Sequence, residues 1–229
     1  TVTYLFEGKL VHRDSIGSVQ DIEPGAVNWM TAGRGIAHSE RTPPELRGMR
    51  RRAHGLQLWA GMPKSLEDTE PSFAHTDSPA IPEEEREQAH VRVLVGRAWG
   101  MESPVRPVSE TLYADISLPA GSRFDIPPLA PERALYAVAG AYRLEGTPME
   151  PYAMAVLPAG DTVSVEAETP ARIMLIGGEP MDGPRFMWWN FVSSRRERIT
   201  EAASEWSAHQ TPRIEGEKDW VPLPKSLPP

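Results

Sequence analysis

Tyr4-Leu-Phe-Glu-Gly8-Lys-Leu-Val11 and Tyr136-Ala-Val-Ala-Gly140-Ala-Tyr-Arg143 share one pattern, an apolar run, a glycine turn and a return run. Each reads as a hairpin in which glycine supplies the backbone freedom of a tight turn. The likeness continues downstream: Pro24-Gly25 begins 16 residues after Gly8, and Pro158-Ala-Gly160 begins 18 residues after Gly140. Two copies of one β unit are the simplest account of this recurrence. Short runs rich in Val, Leu, Ile and Tyr surround the hairpins, at residues 2–6, 27–30, 55–59, 91–95, 111–118, 135–139, 154–157, 162–165 and 172–176. The 18 glycines and 24 prolines of the 229-residue chain exceed the typical combined usage of about 12%. Long helices are disfavoured, and the spacing of the runs predicts an all-β sandwich or barrel.

Charge and inventory narrow the function classes. With 24 Lys+Arg against 32 Asp+Glu the formal charge is -8, a field that repels phosphate backbones and anionic membranes. The most basic stretch, Arg50-Arg51-Arg52, has no interleaved aromatics and reads as a solvated loop, so no direct nucleic-acid partner is expected. There is no cysteine, which excludes disulfides, thiolate catalysis and thiolate metal sites and fits a reducing cytoplasm. No run approaches the 18 or more apolar residues of a membrane span, and residues 1–7 lack the regions of a signal peptide. Residues 1–6 alternate like the middle of a strand, so the sequence is expected to begin inside a domain.

Residues 60–90, rich in Pro, Ser, Asp and Glu, predict a long surface connection. The expected division is an N-terminal domain over residues 1–96 and a C-terminal domain with a helix and tail over residues 97–229. Ser194-Arg-Arg-Glu197 matches a capping box ahead of Ile199, Ala202, Ala203 and Trp206, which recur at helical spacing. The Trp188-Trp189 pair reads as packing, and the tail from Pro212 to Pro229 as irregular chain.

His38-Ser39-Glu40 follows a glycine-rich turn, Thr31-Ala-Gly33-Arg-Gly35-Ile-Ala37. Residues two apart on a strand share a face, so an imidazole and a carboxylate would point together, an arrangement suited to a metal. Spacing alone does not decide, because His12/Asp14 and His75/Asp77 show it too. His12 and Asp14 run into the polar turn Arg13-Asp-Ser-Ile-Gly17, and His75 and Asp77 lie in the Pro-rich connection, so both read as surface pairs. His54, ahead of an apolar run, reads as a hydrogen-bonded core histidine. No histidine lies between His90 and His209, so the second copy has none with which to build such a site. Its interior is expected to be metal-free and filled by Val138, Val156, Val163 and Leu175. Nucleophile elbows, Walker loops and dinucleotide fingerprints are absent.

The strings Thr1-Val-Thr-Tyr-Leu-Phe-Glu-Gly8, His12-Arg-Asp-Ser15, Trp29-Met-Thr-Ala-Gly-Arg-Gly-Ile-Ala-His-Ser-Glu40 and His54-Gly-Leu-Gln-Leu-Trp59 resemble the N-terminal domain of pirins. Leu175-Ile-Gly-Gly-Glu-Pro180 and Gly183-Pro-Arg-Phe-Met-Trp-Trp-Asn-Phe191 resemble the C-terminal domain of bacterial pirin-like proteins. The resemblance implies two cupin-type β-barrels and one metal ion in the N-terminal barrel, with His38 and Glu40 as two of its ligands. Two further histidines, in a His-Pro-His motif, are expected upstream of Thr1. Iron(II) is the expected ion, with nickel, copper, manganese or zinc as alternatives. The implied activity resembles that of quercetin 2,3-dioxygenases, which cleave a flavonol-like phenolic with O2, with Glu40 as catalytic base and His38 as a pure ligand. The alternatives are a metal-dependent protein-binding regulator, in the manner of pirin transcription coregulators, and an inactive cupin scaffold. A monomer in the cytoplasm is expected.

Overall fold

The computed structural model describes residues 1–225, so residues 226–229 of the expected irregular tail lie outside it. The chain forms two compact units, one made of Thr1–His75 with Met181–Pro229 and the other of Thr76–Pro180. This division differs from the expected break after residue 96. The first unit closes with a segment that returns to it from the far end of the chain.

The first unit opens with β1 (Val2–Glu7), β2 (Leu10–Asp14), β3 (Val19–Ile22), β4 (Val27–Thr31), β5 (His38–Arg41), β6 (His54–Leu58) and β7 (Ser72–Thr76). They make two sheets, in the orders β6-β1-β4-β7 and β3-β2-β5, with β1 antiparallel to β4 and β6 and β2 antiparallel to β3 and β5. Tyr4, Val27 and Ile22, all fully buried, mark its core. The second unit contains β8 (Glu83–Arg86), β9 (Ala89–Val95), a small hairpin of β10 (Arg97–Ala98) and β11 (Met101–Glu102), β12 (Thr111–Leu118), β13 (Arg123–Ile126), β14 (Glu132–Ala139), β15 (Tyr142–Leu144), β16 (Thr147–Pro148), β17 (Met154–Val156), β18 (Val163–Ala167) and β19 (Ala171–Gly178). Its main sheets run β17-β14-β19-β12-β9-β8 and β13-β18-β15-β16. Val163 and Leu175 belong to its core as expected, Val138 is buried at the register shift of β14 outside that core, and Val156 is 83% exposed. It alternates with Ala155 on the edge strand β17, where one face meets solvent.

The duplication extends to register. β1 pairs with β4 and β6, and β14 pairs with β17 and β19. The ladder shifts between Leu5 and Glu7 in the first copy and between Ala137 and Ala139 in the second, the same places relative to the hairpin glycines. Gly8 and Gly140 have φ of +92° and +80°. A Cβ on either would meet backbone, 2.7 Å from the Arg52 carbonyl oxygen at Gly8 and closer still to the Pro170 carbonyl oxygen at Gly140. The copies differ at their edges. β19 also pairs with β12 and β18 also with β13, whereas β6 and β5 have no second neighbour among the described residues.

Two local expectations are corrected. Residues 60–90 are not one connection, because β7 joins the first unit's sheet and β8 pairs with β9. The apolar-run criterion misses β8, Glu-Glu-Glu-Arg, a charged edge strand held by its backbone ladder. After β20 (Phe186–Trp188) and β21 (Phe191–Ser193), helix α1 (Arg196–Ser207) buries Ile199 and Ala203. Ser194 does not cap it, since Arg195 holds that position without a side-chain bond. The Ser194 hydroxyl and amide instead donate to Glu67, at 2.8 and 3.0 Å. Arg185 Nε lies 2.7 Å from the same carboxylate, which ties the returning segment to the first unit. The Trp188-Trp189 pair is half-buried, with Trp189 edge-on to Trp206 of α1.

Two glycines in the second unit separate strain from clash. Gly146 has φ +74° with nothing within 4 Å of where an alanine Cβ would stand, so Gly146→Ala carries only the left-handed penalty of about 1–2 kcal/mol. Gly140→Ala adds the collision with Pro170 and is expected to lower the urea unfolding midpoint clearly more than Gly146→Ala does.

Candidate metal centre

β5 is four polar residues long and takes its place through its backbone ladder with β2. The register sets His12 opposite Glu40 and Asp14 opposite His38. Directly opposed residues of an antiparallel pair share a face, so all four side chains emerge on one side of the two strands. His12, His38 and Glu40 each offer a donor atom within 4.8 Å of the others. The surface reading of His12 and Asp14 is therefore corrected: they are 1% and 2% exposed. The local window contains only a polar turn, and burial comes from β5, more than twenty residues downstream. The signal available in the sequence was the matched pair of His-x-acid motifs at strand period, which become informative together once two strands are paired.

Each member is held from behind. Glu40 Oε1 accepts the Thr3 hydroxyl at 2.8 Å and Oε2 accepts Gln57 Nε2 at 2.8 Å, while Gln57 Nε2 also reaches Thr3 Oγ1 at 3.0 Å. His12 Nε2 lies 3.0 Å from Asp14 Oδ2. The His12 ring stacks on Phe73 with centroids 4.2 Å apart and lies 5.7 Å from the His38 ring. Burial, reinforced by His12 against an opposing pull from Asp14, lowers the His38 pKa to about 4. His38 is thus a neutral imidazole at neutral pH. Burial alone would raise the Asp14 carboxyl, but bonds from His12, Ser18 and Ile16 together hold it below its ordinary value.

The donor set fits a divalent cation. His38 Nδ1 is buried without a hydrogen-bond partner, which is costly for a polar atom unless something else completes the site. Two imidazoles and one carboxylate are the ligand types of mononuclear non-haem metal sites. The counterpart positions in the second unit, counted from the hairpin glycine and read across the β15–β18 ladder, are Leu144, Val165 and Val163. None of these side chains has a donor atom.

The other histidines do not join the cluster. His54 stands at the start of β6, its ring 5.0 Å from Phe6. His75 is on β7 rather than in a loop, with Nδ1 2.5 Å from Asn28 Oδ1.

Two barrels of shared connectivity, one with a histidine–carboxylate cluster across neighbouring strands, define a bicupin. Within that class the chain belongs to the pirin family: the Pirin family model matches residues 1–60, and the Pirin C-terminal cupin domain model matches residues 113–212. A Pirin-like protein of Caulobacter vibrioides is 41% identical over 231 residues, covering 98% of this chain and 78% of that protein. Human pirin is 36% identical over 210 residues, covering 88% of this chain and 71% of its own. A crystal structure of quercetin 2,3-dioxygenase from Acinetobacter baumannii aligns with a TM-score of 0.85 at 32% identity, covering 99% of this chain and 76% of that one.

Acid is expected to destabilise the metal-free protein in two steps. Between pH 6.5 and about 4 the unfolded chain binds a proton at His38 that the folded chain does not, so stability falls as pH falls through this window. Asp14, depressed from 3.8, adds its loss as pH drops further, through its folded value. Urea titrations at pH 7, 5 and 4 check this, and His38→Gln should flatten the first step.

Proposed function

We propose that this protein is a metal-dependent dioxygenase that cleaves a flavonol-like phenolic with O2, with the ion held by His12, His38 and Glu40. The observation that carries the reading is the three-donor cluster, with His12 buried and His38 and Glu40 half-buried, supported by the likeness to a quercetin 2,3-dioxygenase. Iron(II) suits two imidazoles and a carboxylate, and nickel, copper, manganese or zinc would find the same donors acceptable. When bound, the ion would supply Lewis acidity, lowering the pKa of a phenolic hydroxyl and orienting the ring.

The chain's own residues provide the rest. His38 is neutral above about pH 4 and so offers its lone pair without first losing a proton. Glu40 is the catalytic base that takes the substrate hydroxyl proton onto a carboxylate oxygen. Thr3 and Gln57 hold that carboxylate by one hydrogen bond to each oxygen, which limits its rotation and keeps it aimed at one place on the substrate.

Metal-loaded protein should bleach quercetin's near-visible absorption with matching oxygen uptake. Glu40→Gln should cut turnover by about 10²-fold or more, and His38→Ala should lose both metal and turnover. A metal-loaded protein that leaves quercetin and related phenolics untouched would discard the dioxygenase reading and favour a protein-binding role for the same centre.

A further inference from the structure

Ser39 and Arg41 alternate with His38 and Glu40 along β5, so their side chains leave the strand on the face opposite those two donors. One carboxylate takes both. Glu217, from the segment after α1, accepts the Ser39 hydroxyl on Oε1 at 2.8 Å, and Arg41 Nε lies 2.7 Å from its Oε2. A single side chain therefore pins β5 on both sides of Glu40. The strand needs such a hold, because it is four polar residues long and has β2 as its one ladder neighbour among the described residues. Short segments with few apolar contacts are the first to open locally.

Glu217 is itself held in place. Its amide donates to the Ile214 carbonyl at 3.2 Å. Three residues on, Trp220 stacks on Trp206 of α1 with ring centroids 3.9 Å apart, and Trp206 Nε1 donates to the Val221 carbonyl at 2.8 Å. Asp219 also reaches Arg41, at 3.0 Å, but its side chain is 73% exposed against 14% for Glu217. Water and salt screen the exposed pair, so Glu217 carries the hold.

We propose, on the reading that His38 and Glu40 bind a metal ion, that Glu217 is a positioning residue for that centre: it fixes β5 from the face opposite the donors and so keeps both of them aimed at the ion. Donors that must be ordered on binding subtract that ordering entropy from the affinity, whereas donors already held do not. The segment after α1, 178 residues along the chain from Ser39, is thereby part of the support of the metal site.

Glu217→Ala tests the assignment, with Asp219→Asn as its control on the same arginine. Competition between the full-length protein and a chromophoric chelator for Co(II) should show about tenfold weaker binding in E217A, with displaced visible bands, and wild-type behaviour in D219N. Wild-type affinity and bands in E217A, or an equal loss in both variants, would overturn the proposal. Hydrogen exchange of the metal-free proteins separates positioning from general stability. Backbone amides of residues 38–41 should exchange faster in E217A while those of β1 keep their wild-type rates, and a uniform acceleration across both strands would count against the assignment. His38→Ala distinguishes the two levels: Co(II) binding undiminished in H38A overturns the metal reading itself, whereas loss in H38A with unaltered E217A overturns only the role of Glu217.

Discussion

The pairing of β2 with β5 places His12 against Glu40 and Asp14 against His38 on one face. Side chains alternate along a strand, so a slip of one residue would turn each strand's pair to the opposite side and disperse the donors. The short polar β5 has no apolar pattern of its own with which to specify that register. Its neighbours supply the constraint: Ser15 Oγ accepts the Ala37 amide at 3.1 Å just before β5, and Ser39 Oγ donates to Glu217 at 2.8 Å on the alternate face. Arg41, also on that face, pairs with Glu217 at 2.7 Å and Asp219 at 3.0 Å. The strand is thus tied by the polar contacts of one face while the other carries the donor cluster.

The same hairpin frame serves two ends. Where the first copy has His12, Glu40 and His38, the second has Leu144, Val165 and Val163, with Val165 and Val163 at 0% and 3% exposure. Apolar side chains there contribute burial, at roughly 25 cal/mol per Å², where the first copy keeps polar atoms that need partners. The first copy accommodates them by stacking His12 on Phe73 and bonding Glu40 to Thr3 and Gln57, residues drawn from β7, β1 and β6. A cluster whose support comes from three strands besides its own two is a property of the whole unit, so it cannot be transferred by the His-x-Glu motif alone.

How much was legible from the sequence follows from which interactions are local. The run at residues 111–118 is the strand Thr111–Leu118, and the two glycine hairpins appear with their bulges in matching places, because alternation and turn chemistry are written within a few residues. Glu83–Arg86 escaped that logic because only its backbone makes it a strand, and the Ser194 capping box failed because Glu67, 127 residues away, takes the serine instead. In the site, the shared face of His38 and Glu40 was legible from strand period, while spacing alone did not set that pair apart from His12/Asp14 and His75/Asp77. The burial of His12 and Asp14 was not legible, since what buries them is a partner strand.

The central claim is that one divalent ion is held between β2 and β5, and anomalous diffraction from crystals of the full-length protein grown with Co(II) tests it most directly. The account predicts a single strong peak about 2.0–2.2 Å from a nitrogen of His12, a nitrogen of His38 and a carboxylate oxygen of Glu40. A peak bonded to none of these three residues, or no peak in crystals whose solution protein binds Co(II) stoichiometrically, would contradict it.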